Sequence, residues 1–88
     1  MRAQGDPEEL VRFANALQHY LDTLQQETQR LNGAFSQLGD TWKDQKRAAF
    51  EDQYRKLQGS IHAFHEQASQ EVPYLRQLAA RLQDYLRT

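Results

Sequence analysis

The sequence predicts an all-α fold: an antiparallel helical hairpin whose second helix is kinked at Pro73 and which pairs with another hairpin into a four-helix bundle dimer. Only two prolines and four glycines interrupt 88 residues that are rich in leucine, alanine and glutamine. Apolar residues follow a helical period, and turn signals interrupt it near residue 40. We therefore predict a single domain over residues 1–88, with helices at 7–38 and 42–87 and a turn at 39–41.

The first helix has a clear start and a clear stop. Asp6 offers an N-cap carboxylate, Pro7 takes the first helical position, and two glutamates follow. An apolar heptad then includes Leu10, Leu17, Leu24, Leu31 and Leu38, joined by Ala14, Leu21, Thr28 and Phe35, with Phe13, Tyr20 and Ala34 widening the stripe on one flank. Gly39 is predicted to end the helix as its C′ residue, where glycine commonly adopts the left-handed conformation.

The second helix is predicted to begin just after the turn. Thr41 and Asp44 fit a capping box with Thr41 as the N-cap, and Asp40 is a competing cap. The apolar phase then includes Phe50, Tyr54, Leu57, Ile61, Phe64, Ala68, Val72, Leu75, Leu78, Ala79, Leu82, Tyr85 and Leu86. Because this phase continues past Pro73, we predict one kinked helix. A break there, with a third short helix folding back, is the alternative.

The short turn forces the two helices to run antiparallel. A fold about residues 39–41 places Pro7 opposite Pro73, so residues 74–86 should project about 20 Å beyond the first helix. This overhang carries an apolar stripe, and we predict that a second chain covers it. The predicted dimer-interface residues are Leu75, Leu78, Leu82, Leu86 and Tyr85.

Composition argues against several function classes. With 11 Lys+Arg against 12 Asp+Glu, the net charge is −1 and no nucleic-acid partner is expected. The apolar runs are too short for a transmembrane segment or the core of a signal peptide. His62, His65 and Glu66 have a spacing that could present ligands on one helix face, but a structural zinc site normally needs four. We expect no enzymatic activity, no metal and no cofactor.

The turn carries the most informative residues. Trp42 is the only tryptophan of the chain, and it lies at the bend of the predicted hairpin. A large ring there can close the open end of a two-helix core, and an exposed ring would be a contact for a partner. The candidate turn motif consists of Gly39, Trp42, Asp44 and Phe50.

The chain resembles the Trp-X-Gly (WXG) family of small proteins linked to bacterial type VII secretion. The stretch from Trp42 to Phe50, with Ala48 and Ala49 between them, carries the resemblance, and the helix–turn–helix layout extends it over nearly the whole chain. Members of that family are helical hairpins that pair as homodimers or heterodimers. They are exported folded or carry other substrates out. The resemblance implies a non-enzymatic secretion substrate or export partner that contacts the secretion machinery.

Two features depart from the family pattern. Asp44 stands where the family has glycine. The family's Tyr-X-X-X-Asp/Glu export signal is also absent, since Leu78 follows Tyr74 at that distance and Gln58 follows Tyr54. Because often only one partner of an exported pair carries the signal, the resemblance implies a signal-less partner or a relative that serves another system. Its expected location is the bacterial cytoplasm, or outside the cell without a cleaved signal peptide. An intracellular helical adaptor, chaperone or structural subunit is the alternative.

Overall fold

The computed structural model describes residues 5–87 and consists of two long helices in that range. Helix α1 spans Pro7–Leu38 and helix α2 spans Gln45–Arg87. They pack along each other as a hairpin with dimensions of 67 × 17 × 14 Å, and no strand occurs among the described residues. The predicted all-α hairpin is therefore confirmed.

The start of α1 follows the sequence prediction, and its end differs in detail. The Asp6 carboxylate accepts a hydrogen bond of 3.0 Å from the Glu8 N–H, as expected of an N-cap. The helix ends at Leu38, directly before Gly39, but Gly39 has φ −63° and ψ −19° and so lies in the right-handed region. Tight turn-type bonds satisfy the last carbonyls instead, including one of 2.9 Å from the Trp42 N–H to the Leu38 carbonyl.

The start of α2 lies three residues later than predicted, at Gln45 instead of 42. Asp44 caps this helix, because its Oδ1 accepts a hydrogen bond of 3.1 Å from the Arg47 N–H. The Thr41 hydroxyl donates to the Leu38 carbonyl at 3.4 Å and so belongs to the end of α1. The predicted capping box with Thr41 as N-cap is therefore wrong.

Pro73 lies inside α2, which continues without interruption to Arg87. The alternative of a break with a third short helix is wrong. Pro73 is exposed, so the carbonyl that loses its helical partner at this turn can be hydrated. The kink expected at this residue stays a prediction.

Small residues let the two helices approach closely at the core. Ala14 and Leu21 of α1 pack with Ala68 and Val72 of α2 into one buried cluster, and Leu17 and Leu75 lie partly buried against it. Leu21 and Val72 are the largest side chains of the described residues that are fully buried. A hairpin of this kind buries little apolar volume by itself.

The register of the hairpin differs from the prediction. Arg76 donates a hydrogen bond of 3.2 Å to Asn15 Oδ1, although a turn at 39–41 would have placed Asn15 opposite residue 65. A Cβ on Gly5 would lie 3.4 Å from Leu82, and Ala79 is only 2% exposed. Because the connection takes six residues, 39–44, each residue of α2 lies nearer the turn than predicted, and Leu82 lies beside Gly5. The predicted 20 Å overhang of residues 74–86 is therefore wrong.

Candidate functional site

An aromatic cluster closes the hairpin at its turn. The Trp42 and Phe50 ring centroids lie 5.9 Å apart, and Phe50 lies 6.0 Å from Phe35 of α1. Phe35 stacks on Tyr54 at 4.3 Å with an interplanar angle of 18°. Three of these rings come from α2 or the turn and one from α1, so their contacts tie the two helices together next to the bend.

Polar contacts hold this aromatic cluster in place. The Tyr54 hydroxyl donates a hydrogen bond of 2.6 Å to Asn32 Oδ1 across the two helices. The Arg47 guanidinium lies 5.5 Å from the centroid of the Phe35 ring and 3.8 Å from Glu51. A Cβ at Gly39 would come within 2.5 Å of Arg47 Nη2, so glycine leaves room for this guanidinium.

Three of the four predicted turn-motif residues, Trp42, Asp44 and Phe50, contact one another. Trp42 Nε1 donates a hydrogen bond of 2.9 Å to Asp44 Oδ1, and the ring packs on Phe50. Gly39 borders the Arg47 guanidinium, which lies over the Phe35 ring. Trp42 is partly buried, so its ring both closes the core and reaches the surface.

One broad side of the hairpin, here called the apolar face, exposes large hydrophobic side chains from both helices. Tyr20 of α1 meets Phe64 of α2 edge to face at 6.3 Å, which joins the two helices on this side. Spacings of seven or eleven residues place further side chains on the same side. The apolar face comprises Phe13, Tyr20, Leu31, Phe50, Leu57 and Phe64, each 45–59% exposed.

The opposite side of the hairpin is polar. A groove of about 410 Å³ is lined by Gln25, Thr28, Gln29, Asn32, Gln58, Ile61, His62, His65 and Glu66. The side-chain Nε2 atoms of Gln58 and His65 are buried there without a hydrogen-bond partner among the described residues. His62 lies 3.9 Å from Glu66, and no group of three or more His, Cys, Asp or Glu in residues 5–87 could hold a metal ion.

The predicted dimer-interface residues divide between the core and the surface. Leu75 packs against the buried cluster, Leu78 and Leu82 are partly buried, and Leu86 is exposed. Tyr85 continues the heptad of Leu57 and Phe64 and is 53% exposed. The sequence prediction did not single out the exposed apolar face, although the flanking positions of Phe13 and Tyr20 beside the leucine heptad indicated it.

A family model described as proteins of 100 residues with WXG, named WXG100, matches residues 3–85. The chain belongs to the WXG100 family. WXG100 proteins are small helical proteins associated with type VII secretion. They form dimers in secretion and are not known as enzymes. The comparisons found no significant match to a curated protein or to a solved structure.

The tryptophan motif of this WXG100 chain lies at the bend of the hairpin and differs from the family's printed motif at one position. The motif tryptophan, Trp42, lies in the connection between two long helices, and Asp44 occupies the position of the motif glycine. Among residues 5–87, no helix combines the length and the apolar character needed to cross a membrane.

Proposed function

We propose that this WXG100 protein is a non-enzymatic substrate or export partner of a type VII-like bacterial secretion system and that it acts by pairing with a second helical hairpin. The second hairpin would cover the apolar face and complete an antiparallel four-helix bundle. Membership in a secretion-associated family supports the cellular role. The large exposed surface of the single hairpin is the main support for pairing.

The single hairpin exposes far more surface than a globular monomer of its mass. Its accessible surface is 7138 Å². A compact monomer of 10.3 kDa would expose about 5,400 Å², so the excess is about 1,700 Å². A stable protein–protein interface buries about 800 Å² on each partner. The excess is therefore enough to supply a full interface on one side.

The chemistry of the apolar face is that of an interface core. Aromatic side chains are enriched at the centres of interfaces, and Phe13, Tyr20 and Phe64 lie on this face with about half of each side chain exposed. The net charge of −1 means that two copies would repel each other little. A second copy and a related hairpin with the same apolar side both meet these requirements.

The oligomeric state in solution tests the pairing. Light scattering of the purified chain at micromolar concentration should give twice the 10.3 kDa chain mass. A monomer that becomes a heterodimer on co-expression with its genetic neighbours would identify the partner as a related chain. A monomer under both conditions would contradict the proposal.

Secretion tests the cellular role. In the native host, the chain should accumulate in the culture medium, alone or with its partner, and this accumulation should stop when the motor ATPase of the secretion system is inactivated. A cytoplasmic control protein should stay inside the cells in both strains. If the chain stays in the cytoplasm in both strains while still forming a dimer, the adaptor or structural-subunit function is correct instead.

A further inference from the structure

The third residue of the tryptophan motif is Asp44, whereas the WXG motif in the family's description has glycine at this position. Asp44 Oδ1 accepts a hydrogen bond of 2.9 Å from Trp42 Nε1 and a second one of 3.1 Å from the Arg47 backbone N–H. One carboxylate oxygen therefore binds the indole ring and also caps the first turn of α2. A glycine could make neither of these side-chain bonds.

The backbone does not require glycine at this position. No residue among 5–87 has a positive φ, so Asp44 does not occupy the left-handed region that favours glycine. The tight approach in this connection occurs at Gly39, where a Cβ would meet the Arg47 guanidinium at 2.5 Å. The side chain at position 44 is therefore free to serve a bonding role.

We propose that Asp44 is a positioning residue for Trp42. Its carboxylate holds the indole ring against Phe50 in the isolated hairpin, before any partner is present. The same bond occupies the single donor of the indole, because the Nε1 hydrogen is the only polar hydrogen of that side chain. Trp42 consequently offers a binding partner the carbon face of its ring, and not its N–H group.

The single tryptophan makes this proposal measurable, because a ¹⁵N-labelled sample gives one indole N–H resonance. In the parent protein this resonance should be shifted downfield and should exchange slowly with water. In Asp44→Gly, the residue of the family motif, exchange should be about tenfold faster, as expected for the loss of a hydrogen bond to a charged group at a partly exposed site. Tryptophan fluorescence anisotropy should fall as the ring becomes mobile.

A second variant separates the indole bond from the helix cap. Asp44→Ser keeps a good N-cap for the Arg47 N–H, but its hydroxyl ends one bond short of the carboxylate oxygen. We expect Asp44→Ser to keep the parent's helix content by circular dichroism and to show the fast indole exchange. Asp44→Ser therefore tests the indole hydrogen bond even if Asp44→Gly loses part of α2.

Two further variants serve as controls for charge and for the acceptor atom. Asp40→Asn removes one negative charge from the same connection and should leave the indole resonance unchanged. Asp44→Asn keeps an oxygen acceptor at the right distance and should retain most of the protection. If the indole shift and exchange rate of Asp44→Ser and Asp44→Gly equal those of the parent, Asp44 does not position Trp42 and the proposal is wrong.

Discussion

At the scale of single residues, Trp42 and its neighbours explain how a six-residue connection holds two long helices together. The indole ring packs on Phe50, and the ring of Phe50 leads to the stacked pair of Phe35 and Tyr54. Each contact adds to the burial of apolar surface at a point where solvent would otherwise enter between the helices. The connection is therefore fixed by side-chain packing as well as by backbone bonds.

Replacement of Trp42 by alanine should lower the free energy of unfolding by about 2 kcal/mol. This is less than the 3–5 kcal/mol that is typical of a fully buried ring, since Trp42 is only partly buried. Urea denaturation followed by circular dichroism measures the change. Trp42→Phe, which keeps an aromatic contact with Phe50, should lose roughly half as much. If Trp42→Ala unfolds at the same urea concentration as the parent, the indole ring does not stabilise the hairpin.

Residue-scale predictions from the sequence succeeded where the determining contacts belonged to the recognised capping pattern. The Asp6 cap needed only the neighbouring Pro7 and Glu8, so its pattern was sufficient. The choice between Thr41 and Asp44 as the second cap depended on contacts that are equally short in sequence but lie outside the capping-box pattern. The Leu38 carbonyl binds the Thr41 hydroxyl, and the Trp42 indole binds Asp44, and neither contact is visible in a capping pattern.

At the scale of the elements, α1 depends on its N-cap. Asp6→Ala should lower the stability by about 1 kcal/mol, because the Glu8 N–H loses its acceptor at the helix start. Thermal unfolding and amide hydrogen exchange of the first turn measure the effect. Asp6→Ser, which can still accept this bond, is the matched control and should retain most of the stability. Equal exchange rates in Asp6→Ala and the parent would contradict the assigned cap.

Gly59 lies inside α2, and its replacement by alanine should stabilise the chain. A Cβ at Gly59 would find no described atom within 4 Å, so alanine fits there without a clash. Gly59→Ala should raise the stability by about 0.5–1 kcal/mol through helix propensity. Gly39→Ala is the contrasting variant, since its Cβ would displace the Arg47 guanidinium. If Gly59→Ala destabilises the chain in chemical denaturation, a second chain must pack closely at this position.

The hairpin itself was predictable from the sequence, but its register was not. Helical periodicity, the Asp6 cap and the glycine near residue 40 define two helices and a turn. The register depends on how many residues the connection uses and on cross-helix contacts such as Arg76 with Asn15. These are long-range features. The later start of α2 at Gln45 brings Leu82 beside Gly5, whereas Tyr85 and Leu86 stay about half exposed.

At the scale of the whole molecule, the described residues form only a small buried core. Three of the six buried residues between positions 5 and 87 are alanines, Ala14, Ala68 and Ala79. Between the buried cluster and the aromatic cluster lies a polar stretch that includes Thr28 and Gln58. The apolar surface that would strengthen the fold lies on the outside, so we expect folding and association to be coupled.

Coupled folding and association predict a melting temperature that depends on protein concentration. Each tenfold increase in concentration favours a dimer by about 1.4 kcal/mol, which should raise the melting temperature by several degrees for a domain of this size. Phe64→Glu places a charge on the apolar face, next to Tyr20. It should lower the melting temperature and abolish most of its concentration dependence, since an unpaired charge in an interface is costly.

Gln70→Glu is the matched control for the whole-molecule prediction. It adds the same charge to α2 at an exposed position that lies outside the heptad of Leu57 and Phe64. Because charge alone does not disturb the pairing there, this variant should keep the parent's concentration dependence. Calorimetric scans over about a hundredfold range of protein concentration test whether the melting temperature depends on concentration. That range should shift the stability of a dimer by about 2.8 kcal/mol. A parent protein that melts at one temperature across that range folds as an independent hairpin, and the apolar face then has a different partner.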